Sequence, residues 1–69
     1  MTVAEFARHL RALGLDHVHV RRSRDMWIVS ASYLDGRELE ARSETTLDHA
    51  AELLLAQAAA ERYRQHDAD

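Results

Sequence analysis

The segment from Met26 to Ala51 restricts the fold of this chain more than any other part of the sequence. The stretch from about Met26 to Leu34 is rich in β-forming residues, and apolar and polar residues alternate within it from Val29 to Tyr33; a second alternating stretch follows the dipeptide Asp35-Gly36. Asp-Gly between two such stretches is a strong signal for a β-hairpin. Apolar residues then recur at helical spacing after a threonine, which is a preferred helix N-cap. The segment therefore predicts a strand, a tight turn, a second strand and a capped helix.

The turn at Asp35-Gly36 can be built in two ways, and each way buries a different set of residues. A three-residue loop, with Gly36 in the left-handed bulge position, pairs the apolar residues of the two strands with each other. A two-residue turn would set Leu39 and Ala41 against serines, because a slip of one residue moves every side chain to the opposite face. The apolar pattern therefore favours the three-residue loop. The pairs that it predicts are Tyr33–Arg37, Ala31–Leu39 and Val29–Ala41.

The N-terminal segment has the pattern of a capped amphipathic helix. Thr2 and Glu5 have the spacing of a capping box, in which each side chain satisfies a free backbone N–H of the other. Gly14 predicts the end of the helix, because glycine adopts the left-handed conformation there at little cost. The apolar stripe of this helix consists of Val3, Phe6, Ala7, Leu10 and Leu13.

Another strand is predicted from His17, where the apolar spacing changes to two. Val18 and Val20 alternate with polar residues, which is typical of a half-buried strand. The polar stretch 22–25 then predicts a turn into the strand that begins near Met26. The face that the three strands are expected to bury is formed by Val18, Val20, Trp27, Val29, Ala31, Tyr33, Leu39 and Ala41. Trp27 and Tyr33 could instead be stacking platforms for nucleic-acid bases, but the alternation favours the core.

The last helix is predicted to begin near Thr45 or Thr46 and to end near Arg64. Asp48 lies in its first turn, where the helix dipole favours a carboxylate. The stripe expected to face the core is Leu47, Ala50, Ala51, Leu54 and Ala58. A second stripe, on roughly the opposite side, is Leu53, Ala56, Ala60 and Tyr63. This helix is longer than a strand of about seven residues and should overhang the sheet.

The order of these elements predicts an α+β fold, α-β-β-β-α, in which both helices cover one face of a three-stranded antiparallel meander. Residues 1–66 are expected to form this single domain, followed by a frayed polar tail at residues 67–69. The chain has no Cys, and its apolar runs are too short for a signal peptide or a membrane span. These features predict a soluble cytoplasmic protein.

Charge is distributed unevenly along the chain. Residues 1–24 contain five Arg against two acidic residues, whereas residues 25–69 contain four Arg against ten, so net charges of +3 and −6 sum to −3. An acidic chain argues against a simple nucleic-acid-binding domain, which is usually basic. The first hairpin nevertheless holds three Arg within four residues beside two His, which is denser than solubility requires. The partner-binding patch that we expect there is formed by His17, His19, Arg21, Arg22 and Arg24.

Catalytic and metal sites are not expected. His17 and His19 would share one face of a strand, but nothing places a third ligand, for which His9 and Glu38 are the candidates. The four serines lack a glycine-flanked elbow and there is no Cys nucleophile, so we predict no enzyme activity and no cofactor. The histidines expected to face solvent on the last helix are His49 and His66.

The predicted order of elements is similar to that of double-stranded-RNA-binding domains, whose last helix has an alanine-rich face like Thr46, Ala50, Ala51 and Leu54 here. That resemblance implies RNA binding through a Lys-rich clamp, but acidic residues stand at the equivalent positions 43–48. The three strands and last helix also resemble the small DNA-binding domain of phage-type integrases, without its basic strands. The residues that carry this second likeness are Trp27, Asp35, Gly36, Arg37, Thr46 and Ala50.

Residues 27–55 also resemble the small anti-CRISPR inhibitors of phages and mobile elements, in which a strand, an Asp-Gly or Asn-Gly turn, a strand and a capped helix recur. This likeness implies a protein partner. We therefore predict a non-enzymatic protein-binding module that docks on a larger nucleoprotein complex. The alternative is a nucleic-acid-binding domain that uses Arg21, Arg22 and Arg24. The second stripe of the last helix, with Met26, Ile28 and Leu34 on the outer face of the sheet, further predicts a homodimer formed mainly through Leu53, Ala56, Ala60 and Tyr63.

Overall fold

A computed structural model describes residues 2–67, with side chains described as far as Arg64. Its elements are α1 (Val3–Ala12), β1 (Leu15–Ser23), β2 (Met26–Tyr33), β3 (Glu38–Ser43) and α2 (Leu47–Asp67). The strands form an antiparallel sheet in the order β1-β2-β3, so β1 and β3 are its edges. Both helices pack on one face of this sheet, here called the helix face, and the opposite face is called the outer face. The predicted α+β fold is confirmed.

The turn between β2 and β3 is the three-residue loop that the apolar pattern favours. Gly36 has φ +92°, a conformation that glycine adopts without steric cost. The backbone N–H of Tyr33 donates to the carbonyl of Arg37 at 2.8 Å, which closes the loop. The strand pairs that follow, as predicted, are Ala31–Leu39 and Val29–Ala41.

Both helices begin at a predicted threonine cap. Thr2 Oγ1 accepts the backbone N–H of Glu5 at 3.2 Å, and Thr46 Oγ1 accepts the backbone N–H of His49 at 3.0 Å. Gly14 follows the last turn of α1 with φ +87°, which confirms its predicted role in ending that helix. Local capping chemistry therefore sets the limits of α1 and the start of α2.

Strand β1 departs from the sequence prediction. It begins at Leu15 rather than His17, and two of its residues between Asp16 and His19 oppose a single residue of β2, which is a β-bulge. His17 adopts a left-handed conformation there, with φ +53°, and the carboxylate of Asp16 accepts its N–H at 2.9 Å. The strict alternation predicted from His17 is therefore wrong. The sequence shows no Gly or Asn at the bulge that could have signalled it.

The core lies between the sheet and the two helices. Its largest fully buried side chains are Leu10, Leu15, Val29 and Leu54. On α2 the residues predicted to face the core are buried, apart from Leu47, which is partly buried and packs on it. Val3 and Val20 were also expected in the core, but they are 65% and 43% exposed. Both lie where the first turns of the two helices meet the sheet and leave it partly uncovered.

The C-terminal helix is longer than the sequence predicted. α2 continues to Asp67, three residues beyond the predicted end at Arg64. Ala68 and Asp69, the rest of the predicted tail, lie outside the described residues, as does the side chain of His66.

Candidate protein-binding surface

The five residues predicted to bind a partner lie on the edge strand β1 and in the two-residue loop that follows it, and all five are exposed. The strand register divides them between the two faces of the sheet. His19 and Arg21 lie on the outer face, whereas Arg22 lies on the helix face, opposite Trp27. The remaining two are Arg24, in the loop, and His17, in the bulge. The bulge also breaks the two-residue repeat that was expected to place both histidines on one face.

The arginines of this hairpin differ in what they contact. The guanidinium of Arg22 lies 5.0 Å from the centroid of the Trp27 ring, which is a cation–π contact. Arg21 Nη2 is 3.8 Å from Glu40 Oε2, and Glu40 Oε1 is 2.8 Å from Arg42 Nη2. Because these ion pairs are largely exposed, each stabilises the fold by under about 1 kcal/mol. A carboxylate on a partner could therefore compete for Arg21.

A shallow apolar hollow lies beside these arginines on the helix face. It encloses about 30 Å³ between the first turns of α1 and α2 and the strands β1 and β2. Its apolar lining consists of Val3, Phe6, Val20, Val29, Leu47 and Ala51. This volume holds about one water molecule or a group of similar size, such as a methyl. Sequence reasoning missed the hollow because its walls come from four different elements.

The outer face of the sheet is less apolar than the sequence predicted. Ile28 is only 6% exposed, because its neighbours in the strand register are Arg21 and Arg42, whose aliphatic stems can cover it. Met26 is partly buried, and Leu34, although 99% exposed, lies in the β2–β3 turn rather than on the sheet. The three apolar residues therefore do not form one continuous apolar surface on this face.

Ser43, Thr45 and His49 form a hydrogen-bonded cluster where β3 leads into α2. Ser43 Oγ lies 2.7 Å from His49 Nδ1 and 2.9 Å from Thr45 Oγ1, and it accepts the backbone N–H of Thr45 at 3.2 Å. A serine hydroxyl beside an imidazole is the pairing of an activated nucleophile. However, Ser43 is only 4% exposed, so a substrate could not reach its oxygen. The cluster holds the connection between β3 and α2, a role that sequence reasoning missed for His49.

Arg37 links the β2–β3 turn to α2 at the other end of the sheet. Its guanidinium lies 4.6 Å from the centroid of the Tyr33 ring, and its Nε and Nη1 lie 2.8 Å from Asp35 Oδ2 and 3.6 Å from Glu61 Oε1. The backbone N–H of Arg37, which donates to Asp35 Oδ1 at 3.0 Å, is the main cause of a lowered pKa for Asp35. Burial, followed by the charge of Glu61, raises the pKa of Tyr33. The contacts within this cluster fix the turn against the helix.

The second apolar stripe of α2 is exposed. Leu53 is 37% and Tyr63 72% exposed, and Ala56 and Ala60 between them are also exposed. The stripe therefore lies on the solvent side of the helix, where the sequence placed it, and the homodimer stays a prediction.

Among residues 2–67, no three His, Asp or Glu side chains lie close enough together to hold a metal ion. None of the helices in this part of the chain is long and apolar enough to cross a membrane. Comparison of the chain with family models, with curated proteins and with solved structures finds no match. The three resemblances drawn from the sequence therefore remain predictions.

Proposed function

We propose that the protein is a small non-enzymatic module that binds another protein, and that it acts in the cytoplasm as an inhibitor docked on a larger nucleoprotein complex. The anti-CRISPR inhibitors of phages and mobile elements are the class of protein that the sequence resembles. One observation carries the proposal: the exposed arginines of an edge strand lie directly beside an exposed apolar hollow.

This combination suits a protein partner better than a nucleic acid. Protein interfaces combine an apolar centre with Arg and aromatic residues, and here Arg22 stacks on Trp27 at one side of Val20 and its hollow. A nucleic-acid interface would need a surface that is basic throughout. On the outer face, however, Arg21 lies close to Glu40, and the chain as a whole has a net charge of −3.

Affinity capture from an extract of the host cell, with the partner identified by mass spectrometry, tests this proposal. We expect simultaneous replacement of Arg21, Arg22 and Arg24 by Ala to weaken capture of that partner. Folding should survive, because loss of the Arg22–Trp27 contact costs about 1 kcal/mol. The matched control replaces Arg8, Arg11 and Arg64 by Ala, which removes the same charge from exposed positions elsewhere. Equal capture by wild type and triple variant would exclude the hairpin as the binding surface.

The second candidate function, nucleic-acid binding through Arg21, Arg22 and Arg24, rests on the density of arginine in this hairpin. It predicts a gel shift with mixed DNA and RNA at low salt, with an affinity that falls steeply as salt increases. The protein-binding function predicts no shift under the same conditions.

We further propose that two copies of the chain associate through the exposed stripe of α2. Leu53 and Tyr63 provide the exposed apolar area, and Ala56 and Ala60 would let two helix backbones approach closely.

A further inference from the structure

The backbone of the edge strand β1 has one side that β2 does not pair. In an antiparallel sheet, successive residues direct their N–H and C=O groups alternately to one side and to the other. Tyr33 of β2 donates its N–H toward the β3 side, so the even-numbered residues of β2 bond to β1. The partners of these residues on β1 are Asp16, His19, Arg21 and Ser23. The residues that direct backbone N–H and C=O groups to the open edge are therefore Val20 and Arg22.

The side chains around that open edge differ between the two faces. Val20 and Arg22 lie on the helix face, and Val20 also lines the apolar hollow. Arg21 lies between them on the outer face. In an added antiparallel strand, the residue opposite Val20 would lie on the helix face, beside the hollow. The residue opposite Arg22 would lie beside its guanidinium on the helix face, and the residue opposite Arg21 beside its guanidinium on the outer face.

We propose that β1 binds an extended, acidic segment of the partner protein by β-strand addition, with acidic residues facing Arg21 and Arg22 and a small apolar residue facing Val20. In an antiparallel arrangement the bound segment has, from its N-terminus, two acidic residues followed by a small apolar residue. This inference rests on the proposed function, because it specifies how the hairpin recognises a protein.

The regular part of the edge is short, which limits the length of the bound segment. The bulge at His17 ends it on one side, and the loop beginning at Arg24 ends it on the other. Five residues, His19–Ser23, remain in continuous register with β2. An added strand could therefore pair over about 16 Å, at about 3.3 Å per residue. Bulges commonly protect sheet edges from unwanted pairing, and this one leaves only the arginine-bearing half of β1 open.

Charge favours an acidic protein segment as the occupant. Three Arg lie at positions 21, 22 and 24. The acidic residues around them are Asp25 in the loop, Glu40 on β3 and Glu44, which lines a surface hollow together with Arg24. A peptide backbone can supply both donors and acceptors for the unpaired C=O and N–H groups of Val20 and Arg22. In this mode of binding, main-chain hydrogen bonds supply affinity and side-chain pockets supply specificity. A nucleic-acid backbone carries acceptors but no N–H donors for the carbonyl groups at this edge.

A synthetic peptide of about nine residues, with Glu-Glu-Val at its centre and Thr and Ser on either side, tests the proposal without a known partner. We expect it to bind the full chain, as measured by fluorescence anisotropy at low salt. In NMR spectra the amides of Val20 and Arg22 should shift and become protected from hydrogen exchange. A peptide with Lys-Lys-Val at its centre should not bind.

Two matched pairs of probes separate strand pairing from simple charge attraction. A Glu-Glu-Val peptide with N-methylated backbone amides keeps its charge but cannot pair, and it should bind at least about tenfold more weakly, as expected for the loss of one or two hydrogen bonds. On the protein, Arg22→Pro removes an edge N–H that β2 does not use, so it should weaken binding more than Arg22→Ala does. Far-ultraviolet circular dichroism with urea unfolding reports whether each variant is folded. The near-ultraviolet signal of Trp27 would not serve, because Arg22 contacts that ring.

Equal binding of the methylated and unmethylated peptides would overturn strand addition, and so would a peptide that fails to bind at about 1 mM. Neither result would remove the proposed function if the triple arginine variant still captures its partner more weakly than wild type does. If that variant captures the partner as well as wild type does, the proposed function fails together with this inference.

Discussion

His17 and Arg24 flank the part of β1 whose outer edge is unpaired, His19–Ser23. Both residues adopt backbone conformations that are rare for residues other than glycine. His17 has φ +53° and Arg24 has φ +57°. A left-handed conformation costs a residue with a Cβ about 1 kcal/mol or more. A strained residue persists only where the surrounding structure holds it in place. Such residues are more frequent at functional sites than elsewhere. Here His17 lies in the bulge and Arg24 in the two-residue turn, and both kinds of position favour a left-handed residue.

Replacing Arg24 by Gly should therefore stabilise the protein. The left-handed conformation costs glycine nothing sterically, so we expect the free energy of unfolding to rise by about 0.5–1 kcal/mol. Urea denaturation measures the change, and Arg24→Ala is the matched control, because it removes the same charge but retains a Cβ. A glycine variant no more stable than the alanine variant would show that this conformation is not strained.

The raised pKa of Tyr33 predicts how stability depends on alkaline pH. Burial is the main cause of the shift, so the folded state favours the neutral phenol over the phenolate. The contribution of Tyr33 to stability is therefore complete below the unfolded pKa of about 10 and is lost as the pH rises through the higher folded value. In a Tyr63→Phe background, absorbance titration should follow Tyr33 alone. Tyr33→Phe should lose less stability than wild type between about pH 9 and pH 11; an equal loss would contradict the assignment.

At the scale of the elements, the strands differ in how far the sequence predicts them. The β2–β3 hairpin could be predicted because the match of apolar residues and the glycine at position 36 both require the same register. The bulge in β1 could not, because the left-handed residue is His17 and its stabilising contact comes from the neighbouring Asp16. The hollow could not be predicted either, since Val3 and Val20 are exposed where the first turns of the two helices meet the sheet.

The start of α2 depends on the threonine cap that the sequence identified. Thr46→Ala removes the hydroxyl that accepts the N–H of His49, and we expect it to lower the free energy of unfolding by about 1 kcal/mol. Thr46→Ser keeps the hydroxyl and should lose much less. Thermal or urea unfolding of the three proteins decides the matter, and equal losses for Ala and Ser would show that the cap does not limit stability.

The whole molecule exposes a large surface for its mass. Its accessible area is 5080 Å², whereas a compact monomer of 7.9 kDa is expected to expose about 4400 Å². The long axis of the molecule measures 41 Å against 22 and 20 Å for the other two. In the described structure α2 packs on the sheet through one side only, and its outer side faces solvent. A chain of 69 residues buries a smaller fraction of its surface on folding than a larger one, so burial of the outer side of α2 would stabilise it.

The last prediction is that this side of α2 pairs with the same helix of a second copy. An antiparallel arrangement about a two-fold axis near Ala56 would set Leu53 of one copy against Ala60 of the other and would oppose the two helix dipoles. It would also bring Asp48, in the first turn of each helix, toward the end of the other helix, which carries Arg64.

Light scattering at micromolar concentration should therefore give about twice the monomer mass of 7.9 kDa. Leu53→Asp or Ala60→Glu should reduce the mass to that of a monomer, because each would bury an unpaired charge in the pair. Gln57→Glu introduces the same charge on the flank of the stripe and should leave the dimer intact. A wild-type mass of 7.9 kDa would remove the homodimer. Leu53 and Tyr63 would then be candidates for contact with the heterologous partner, and capture of that partner by the Leu53→Asp variant would test them.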